Sequence, residues 1–233
     1  MSWFKRERKQ YFSYAHDIHS HILPGLDDGV KRVEDSVVIV KKMLELGVKQ
    51  FSFTPHISFP SPMNTPAVIG EKLNLLKDCL LKEGIEIEAD AGAEYKVGEY
   101  MVDLIHQGEI ASFHGGKVLV EHSFVAPSPA FEEVIFRLQD KGYTPVLAHP
   151  ERYPFYARHL AERVEELKHR GCRIQVNLLS FTGFYGKEAM AGARELLEAR
   201  LINYFSGDIH SVKQVELLEK FLKSKEAGIL GVS

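Results

Sequence analysis

The chain has 233 residues, 45% hydrophobic and 26% charged, enough to bury one α/β core as a single domain over 1–233. A net charge of -3 gives no bulk attraction for nucleic acid, and two cysteines, Cys79 and Cys172, are too few for a disulfide framework and fit a reducing cytoplasm. No run approaches the roughly 18–20 apolar residues of a membrane span, and no apolar stretch of the secretory kind follows the basic start.

That start, Lys5, Arg6, Arg8 and Lys9 beside Trp3 and Phe4, reads as a loosely ordered extension over 1–13. Any contact it makes with an anionic membrane is peripheral. From there the pattern alternates. Tyr14–His19 reads as a strand, Val33–Leu46 as an amphipathic helix ending at Gly47, and Val48–Thr54 as a strand running into Pro55-His56. Pro66–Glu83 reads as a helix, Ile85–Ala91 as extended and Glu99–Gln107 as a weaker helix. Lys117–Glu121 (strand), Ser128–Lys141 (helix), Thr144–Ala148 (strand) and Phe155–Arg170 (helix) follow. The chain closes with strand Arg173–Asn177, helix Lys187–Ala199, strand Ile202–Ser206 and a helix from Val212 to about Lys225. Seven strand–helix units with short connections predict a parallel sheet, and this many in one domain favours a barrel over an open sheet. The Pro-rich loop Ile57–Thr65 is expected to rim a site.

Barrel chemistry sits at the C-terminal ends of strands. The first strand ends in His19 and His21, one residue apart and so on one side of an extended backbone. The later strand ends carry His56, Glu94, Glu121, His149, and finally Asp208 with His210. With one of Asp27 or Asp28 from the turn after His21, nine oxygen and nitrogen donors converge on one rim. Nine donors exceed what one ion needs, and imidazole with carboxylate and no thiolate suits Mn, Fe or Zn, so two or three ions are expected. His16, His106, His114, His159 and His169 lie off the strand ends and read as surface or helix residues.

The segments DIHSHILPGLDDG (17–29), TPH (54–56), GAEY (92–95), LVE (119–121), AHPERY (148–153), QVNLLSFTGFYGK (175–187) and GDIH (207–210) resemble the polymerase and histidinol phosphatase (PHP) superfamily. More narrowly they resemble its manganese-dependent protein tyrosine phosphatases of capsular and exopolysaccharide synthesis. The resemblance implies a distorted TIM-like barrel of seven βα units with a trinuclear manganese site. It places His19, His21, Glu94 and Asp208 around a first metal, with Glu94 bridging to a second completed by Glu121 and His149. It gives a third to His56, His210 and an aspartate of the DDG segment; spacing from His21 favours Asp27, with Asp28 the alternative. Strand alternation sends Glu121 and His122 to opposite faces, and the match of LVE favours Glu121 as the ligand.

By the same resemblance Arg152 grips the substrate phosphate with paired donors; the alternative is an ion pair with Glu151. An arginine expected after the DxH segment is missing, and Lys213 is the nearest cation for that contact. The implied reaction is phosphomonoester hydrolysis by hydroxide generated on the metals, with His210 as a possible proton source for the leaving group. The implied substrate is a phosphotyrosine protein, such as a bacterial tyrosine kinase of polysaccharide synthesis. No phosphocysteine route is expected, because Ile85 and Leu178, not arginines, stand six positions after the cysteines. The rivals are a phosphatase for a small molecule such as histidinol phosphate, a metal-dependent amidohydrolase, and a non-catalytic kinase scaffold.

Overall fold

The structure, a computed structural model, describes residues 15–58 and 64–230. The basic start and residues 59–63 of the Pro-rich loop lie outside the described residues.

Every strand pair in the barrel is parallel. Strands β1 (His16–Asp17), β2 (Gln50–Phe53) and β4 (Glu88–Ala91) pair in the order β1-β2-β4. Strands β3 (His56–Ile57), β5 (Glu94–Lys96), β6 (Lys117–Glu121), β7 (Thr144–Ala148), β8 (Arg173–Asn177) and β9 (Tyr204–Ser206) pair in that order in a second sheet. Two staves of the barrel are broken at one level. β2 runs into β3 across Thr54-Pro55, where proline offers no N–H to a ladder, and β4 runs into β5 across Gly92-Ala93. Counting each broken pair once gives the seven expected staves. The ring closes where Asp208 N–H donates to His19 O (2.9 Å) and His21 N–H donates to Ile209 O (2.9 Å). The distortion lies between β4 and β6: Phe113 bridges to Lys117 and His114 N–H donates to Asp90 Oδ2 (2.6 Å), filling the place of a direct ladder.

Helices α1 (Val33–Glu45), α2 (Pro66–Lys82), α3 (Glu99–Gln107), α4 (Phe131–Asp140), α5 (Leu160–His169), α6 (Lys187–Glu198), α7 (Val212–Leu222) and α8 (Lys225–Leu230) account for the rest of the regular structure. Helix α2 starts where its sequence says: Thr65 Oγ1 accepts from Val68 N–H (3.3 Å) and Pro66 occupies the first turn. Several elements are shorter than expected, as with β1, β4, β9 and α4, and two boundaries differ in kind. The helix expected from Phe155 starts at Leu160, because Pro150 and Pro154 open two 3₁₀ turns, Pro150–Arg152 and Pro154–Tyr156. The last helix breaks into α7 and α8 at Lys223-Ser224.

Most buried apolar side chains form one large core, while Ile18, Phe113, Leu119, Val146 and Ala148 make a small separate cluster. Leu119 shares its strand face with Glu121, as Ala148 does with Val146, so this apolar layer lies under the polar end of the same staves.

Glu121 and His122 do point to opposite sides. His122 is buried outside the ring, where Nδ1 accepts from Ser128 N–H (3.3 Å), Nε2 donates to Tyr156 Oη (2.9 Å), and the imidazole packs on Phe131. Burial, aided by Arg163, pushes its pKa down to about 4. A histidine kept neutral in the fold gives full stability above its unfolded pKa near 6.5 and loses it as pH falls from there toward 4. The loss from His122 reaches at most about 3 kcal/mol. Thermal melts between pH 7 and 5 should therefore slope less in His122→Gln than in the parent chain; equal slopes would remove His122 as the cause.

Candidate metal centre

Nine donors meet at the C-terminal end of the barrel. Their atoms fall into four overlapping sets, each within 4.8 Å: His19, His21 and Asp208; His19, Glu94 and His149; His56, Glu94 and Glu121; His21, Asp28, His56 and His210. Glu94 is the hub. Its Oε2 lies 3.1 Å from His19 Nε2, 3.1 Å from His56 Nδ1 and 3.3 Å from His21 Nε2, yet it has no aligned hydrogen bond among the described residues. Its Oε1 lies 3.1 Å from His149 Nε2.

A chain of buried amides fixes how His19 faces this hub. Asp208 Oδ2 can only accept, so Asn177 Nδ2 donates to it (2.7 Å), which turns Asn177 Oδ1 toward Gln175 Nε2 (2.8 Å). Gln175 Oε1 then accepts from His19 Nδ1 (2.9 Å), which aims His19 Nε2 at Glu94 and Asp208. Asp27 does the same for His21: its Oδ2 accepts from Nδ1 (2.7 Å), and it also accepts from His56 N–H (2.8 Å). His19 Nε2 and His21 Nε2 sit only 3.2 Å apart. Imidazole nitrogens and carboxylate oxygens crowded this closely are the donor set of a cation, and the residues fit divalent metals with nitrogen and oxygen ligands.

The electrostatics follow from that crowding. Burial alone would lower the His19 pKa, but the Glu94 and Asp208 carboxylates beside it outweigh burial and raise it to about 9. Burial works against ionising Glu94, yet the imidazoles of His19 and His56 hold its carboxyl well below the usual range. Burial and the Glu94 charge push Glu121 well up. Burial and Arg152 bring His149 down to about 4. Two of the donors, His149 (φ 35°) and Asp208 (φ 50°), have left-handed backbones that non-glycine residues rarely adopt. The Asp208 strain is held by its N–H bond to His19 O (2.9 Å), at the closure of the ring.

The two aspartates of the turn divide differently from what their spacing suggests. The Asp27 carboxylate is spent on His21, His56 and Gly29 (N–H to Oδ1, 2.9 Å), so it orients donors and belongs to none of the four sets. Asp28 Oδ1 instead faces His56 Nε2 (3.6 Å) and His210 Nε2 (3.5 Å). The turn reaches this position because Gly29 lies against His21; a Cβ there would be 2.1 Å from His21 O.

Lys213 is exposed on α7 and does not line the cavity over the donors, of about 320 Å³; Gln214 lines it instead. Ser211 caps α7 by accepting from Gln214 N–H (3.4 Å), and Gln214 Oε1 turns back to accept from His210 N–H (2.5 Å). Arg152 does reach the cavity. Its Nη1 donates to Asp208 Oδ2 (2.8 Å), and its guanidinium lies 4.0 Å from the Tyr185 ring centre and 4.8 Å from that of Phe124. Its ionic partner is thus Asp208, not Glu151; Glu151 Oε1 accepts from Asn177 N–H (3.0 Å) and Ser180 Oγ (2.7 Å). Burial raises Glu151 to about 7. His106, His114, His159 and His169 are exposed away from the centre, whereas His16 is half-buried in β1 beside Ser52. Gln175, Gln214 and Phe124 are site residues the sequence reading missed. A polar residue at every second position of a buried strand, Gln175-Val176-Asn177, was the available signal for the first; Phe124 had none.

Comparison with known proteins gives this geometry a family. The tyrosine-protein phosphatase YwqE of Bacillus subtilis is 34% identical over 202 residues, covering 84% of this chain and 78% of that protein. The tyrosine-protein phosphatase CpsB of Streptococcus agalactiae serotype V is 27% identical over 205 residues, covering 84% and 83%. Among solved structures, a chain from the crystal structures of YwqE from Bacillus subtilis and CpsB from Streptococcus pneumoniae, described as unique metal-dependent tyrosine phosphatases, superposes with a TM-score of 0.79. It is 30% identical, over 92% of this chain and 90% of that one. Residues 15–217 match the family described as capsular polysaccharide synthesis, CpsB/CapC, and the chain belongs to that family.

Proposed function

We propose that this chain is a single-domain, metal-dependent protein tyrosine phosphatase working with two or three manganese ions. The observation that carries the reading is the convergence of nine metal-type donors and the Arg152 guanidinium on one cavity. The phosphatase activity named for YwqE and CpsB supports it.

His19, His21, Glu94 and Asp208 would hold a first ion, Glu121 and His149 with Glu94 a second, and Asp28, His56 and His210 a third. Bound divalent ions supply Lewis acidity, which polarises phosphoryl oxygens and lowers the pKa of water. The protein's own residues do the rest. Glu94 and Asp208 place fixed negative charge where the ions would sit, and Glu121 would add to it on giving up its proton when a cation binds. Asp208 divides its oxygens: Oδ2 holds Arg152 and Asn177, while Oδ1 faces His19 and His21, 3.4 Å from each. Arg152, fixed by Asp208 and by two aromatic faces, presents its remaining N–H groups to phosphate oxygens and neutralises charge as it builds. A tyrosine phenolate leaves with a pKa near ~10, so little proton donation is required.

No helix among the described residues is long and apolar enough to cross a membrane, and both cysteines are free thiols. A reducing cytoplasm suits them. The family's link to capsular polysaccharide synthesis supports a tyrosine kinase of that process as the phosphoprotein partner.

The test is hydrolysis of a phosphotyrosine peptide against histidinol phosphate, before and after chelation. Activity on the peptide should fall at least about a hundredfold on chelation and return with Mn²⁺. A strong preference for histidinol phosphate would overturn the substrate, and activity indifferent to chelation would overturn the metal centre.

A further inference from the structure

A second cavity, of about 440 Å³, adjoins the metal centre, and Arg152 and Tyr185 line both. It opens between the two 3₁₀ turns after β7 and helix α6. Its apolar walls include Pro150, Pro154, Leu160 and Ala189, and its charged groups besides Arg152 are all carboxylates: Glu151, Glu188 and Glu195.

The placement follows from one close approach. Gly192 lets α6 lie on the first turn: a Cβ there would be 2.8 Å from Leu160 Cδ2 and 3.3 Å from Glu151 Cβ. Residues 188, 192 and 195 share one helix face, so this contact carries Glu188 and Glu195 over the cavity. Beneath them Glu151 is 5% exposed. Its Oε1 is taken by Ser180 and Asn177, but Oε2 has no hydrogen-bond partner among the described residues. A buried carboxylate oxygen without a donor is unfavourable, and a cation arriving through the cavity would supply one. Arg152, the one cation lining it, is committed to Asp208.

Apolar walls with carboxylates at the base and mouth complement a long apolar stem with a cationic head. The cavity begins at Arg152, where the substrate phosphate is held, so its occupant is a near neighbour of the phosphotyrosine. We propose that it is a subsite for a lysine or arginine within a few residues of the phosphotyrosine in the protein substrate. This rests on the phosphatase reading above.

The experiment measures kcat/KM of the manganese-loaded protein on phosphotyrosine peptides carrying one Lys at each position from about -3 to +3, against Ala peptides. Para-nitrophenyl phosphate, which has no flanking residue, is the control. At one position or more the Lys peptide should be favoured about fivefold, the scale expected from half-exposed ion pairs. The double variant Glu188→Gln, Glu195→Gln should reduce that preference to under about twofold, with the control unchanged. Glutamine at 195 keeps an acceptor for Ala161 N–H (3.0 Å), so the start of α5 is preserved. Equal rates on Lys and Ala peptides at every position, or a preference that survives the double variant, would overturn the subsite alone. No turnover of any peptide or of the control would overturn the phosphatase reading and the subsite with it.

Discussion

Glu94→Gln should lower kcat by at least about 10³, roughly 4 kcal/mol of transition-state stabilisation, and reduce the metal retained per chain. The variant keeps the size of the side chain and changes only charge and donor count. In the parent, Glu94 Oε2 stands within 3.3 Å of three imidazole nitrogens, and Oε1 within 3.1 Å of a fourth. A glutamine would turn an NH₂ toward some of them and remove the negative charge that faces them all. Because it sits in both the His149 set and the His56–Glu121 set, one substitution weakens two positions at once. Elemental analysis with steady-state kinetics decides this. A variant holding its full metal complement with activity within tenfold of the parent would show that Glu94 is not the hub.

Arg152→Lys should separate phosphate binding from metal binding, lowering kcat/KM about a hundredfold, near 3 kcal/mol, while metal content stays unchanged. A lysine can still answer Asp208 with one N–H, so the carboxylate keeps a cationic partner. It cannot lie flat between Tyr185 and Phe124, nor offer a planar pair of donors to phosphate oxygens. A loss under about fivefold, or a matching loss of metal, would contradict a direct role for Arg152 on phosphate.

Much of this architecture was legible in the sequence because alternation and strand-end chemistry are local signals. Seven staves, parallel order and the rim positions of His19, His21, His56, Glu94, Glu121, His149, Asp208 and His210 all follow from reading where apolar runs stop. What escaped depends on contacts distant in sequence. β3 and β5 are two and three residues long, too short for any period, and exist because His56 and Glu94 pair across the breaks at Pro55 and Gly92. Asp27 and Asp28 are neighbours with equal chemistry; only the fold of the turn against His21 sets which carboxylate faces His21 Nδ1 and which faces His56 and His210. Lys213 looked like a replacement for a missing arginine, yet Ser211-Val212-Lys213-Gln214 is a capping sequence that brings Gln214, not Lys213, back over the helix start.

The ring closure is what makes the centre whole. Ile18 N–H donates to Ser206 Oγ and Gly207 N–H to Asp17 Oδ1, contacts that span 188 and 190 residues. His19 and His21 lie on one side of that seam, Asp208 and His210 on the other. The centre is therefore complete only when the two ends of the barrel have met, and a fragment stopping before β9 lacks Asp208 and His210. Pairings of such long separation close slowly, because the entropy of the intervening loop is lost before the contact is made. An ion coordinated from both sides would work as a latch, adding its binding energy to the joint between the first and last strands.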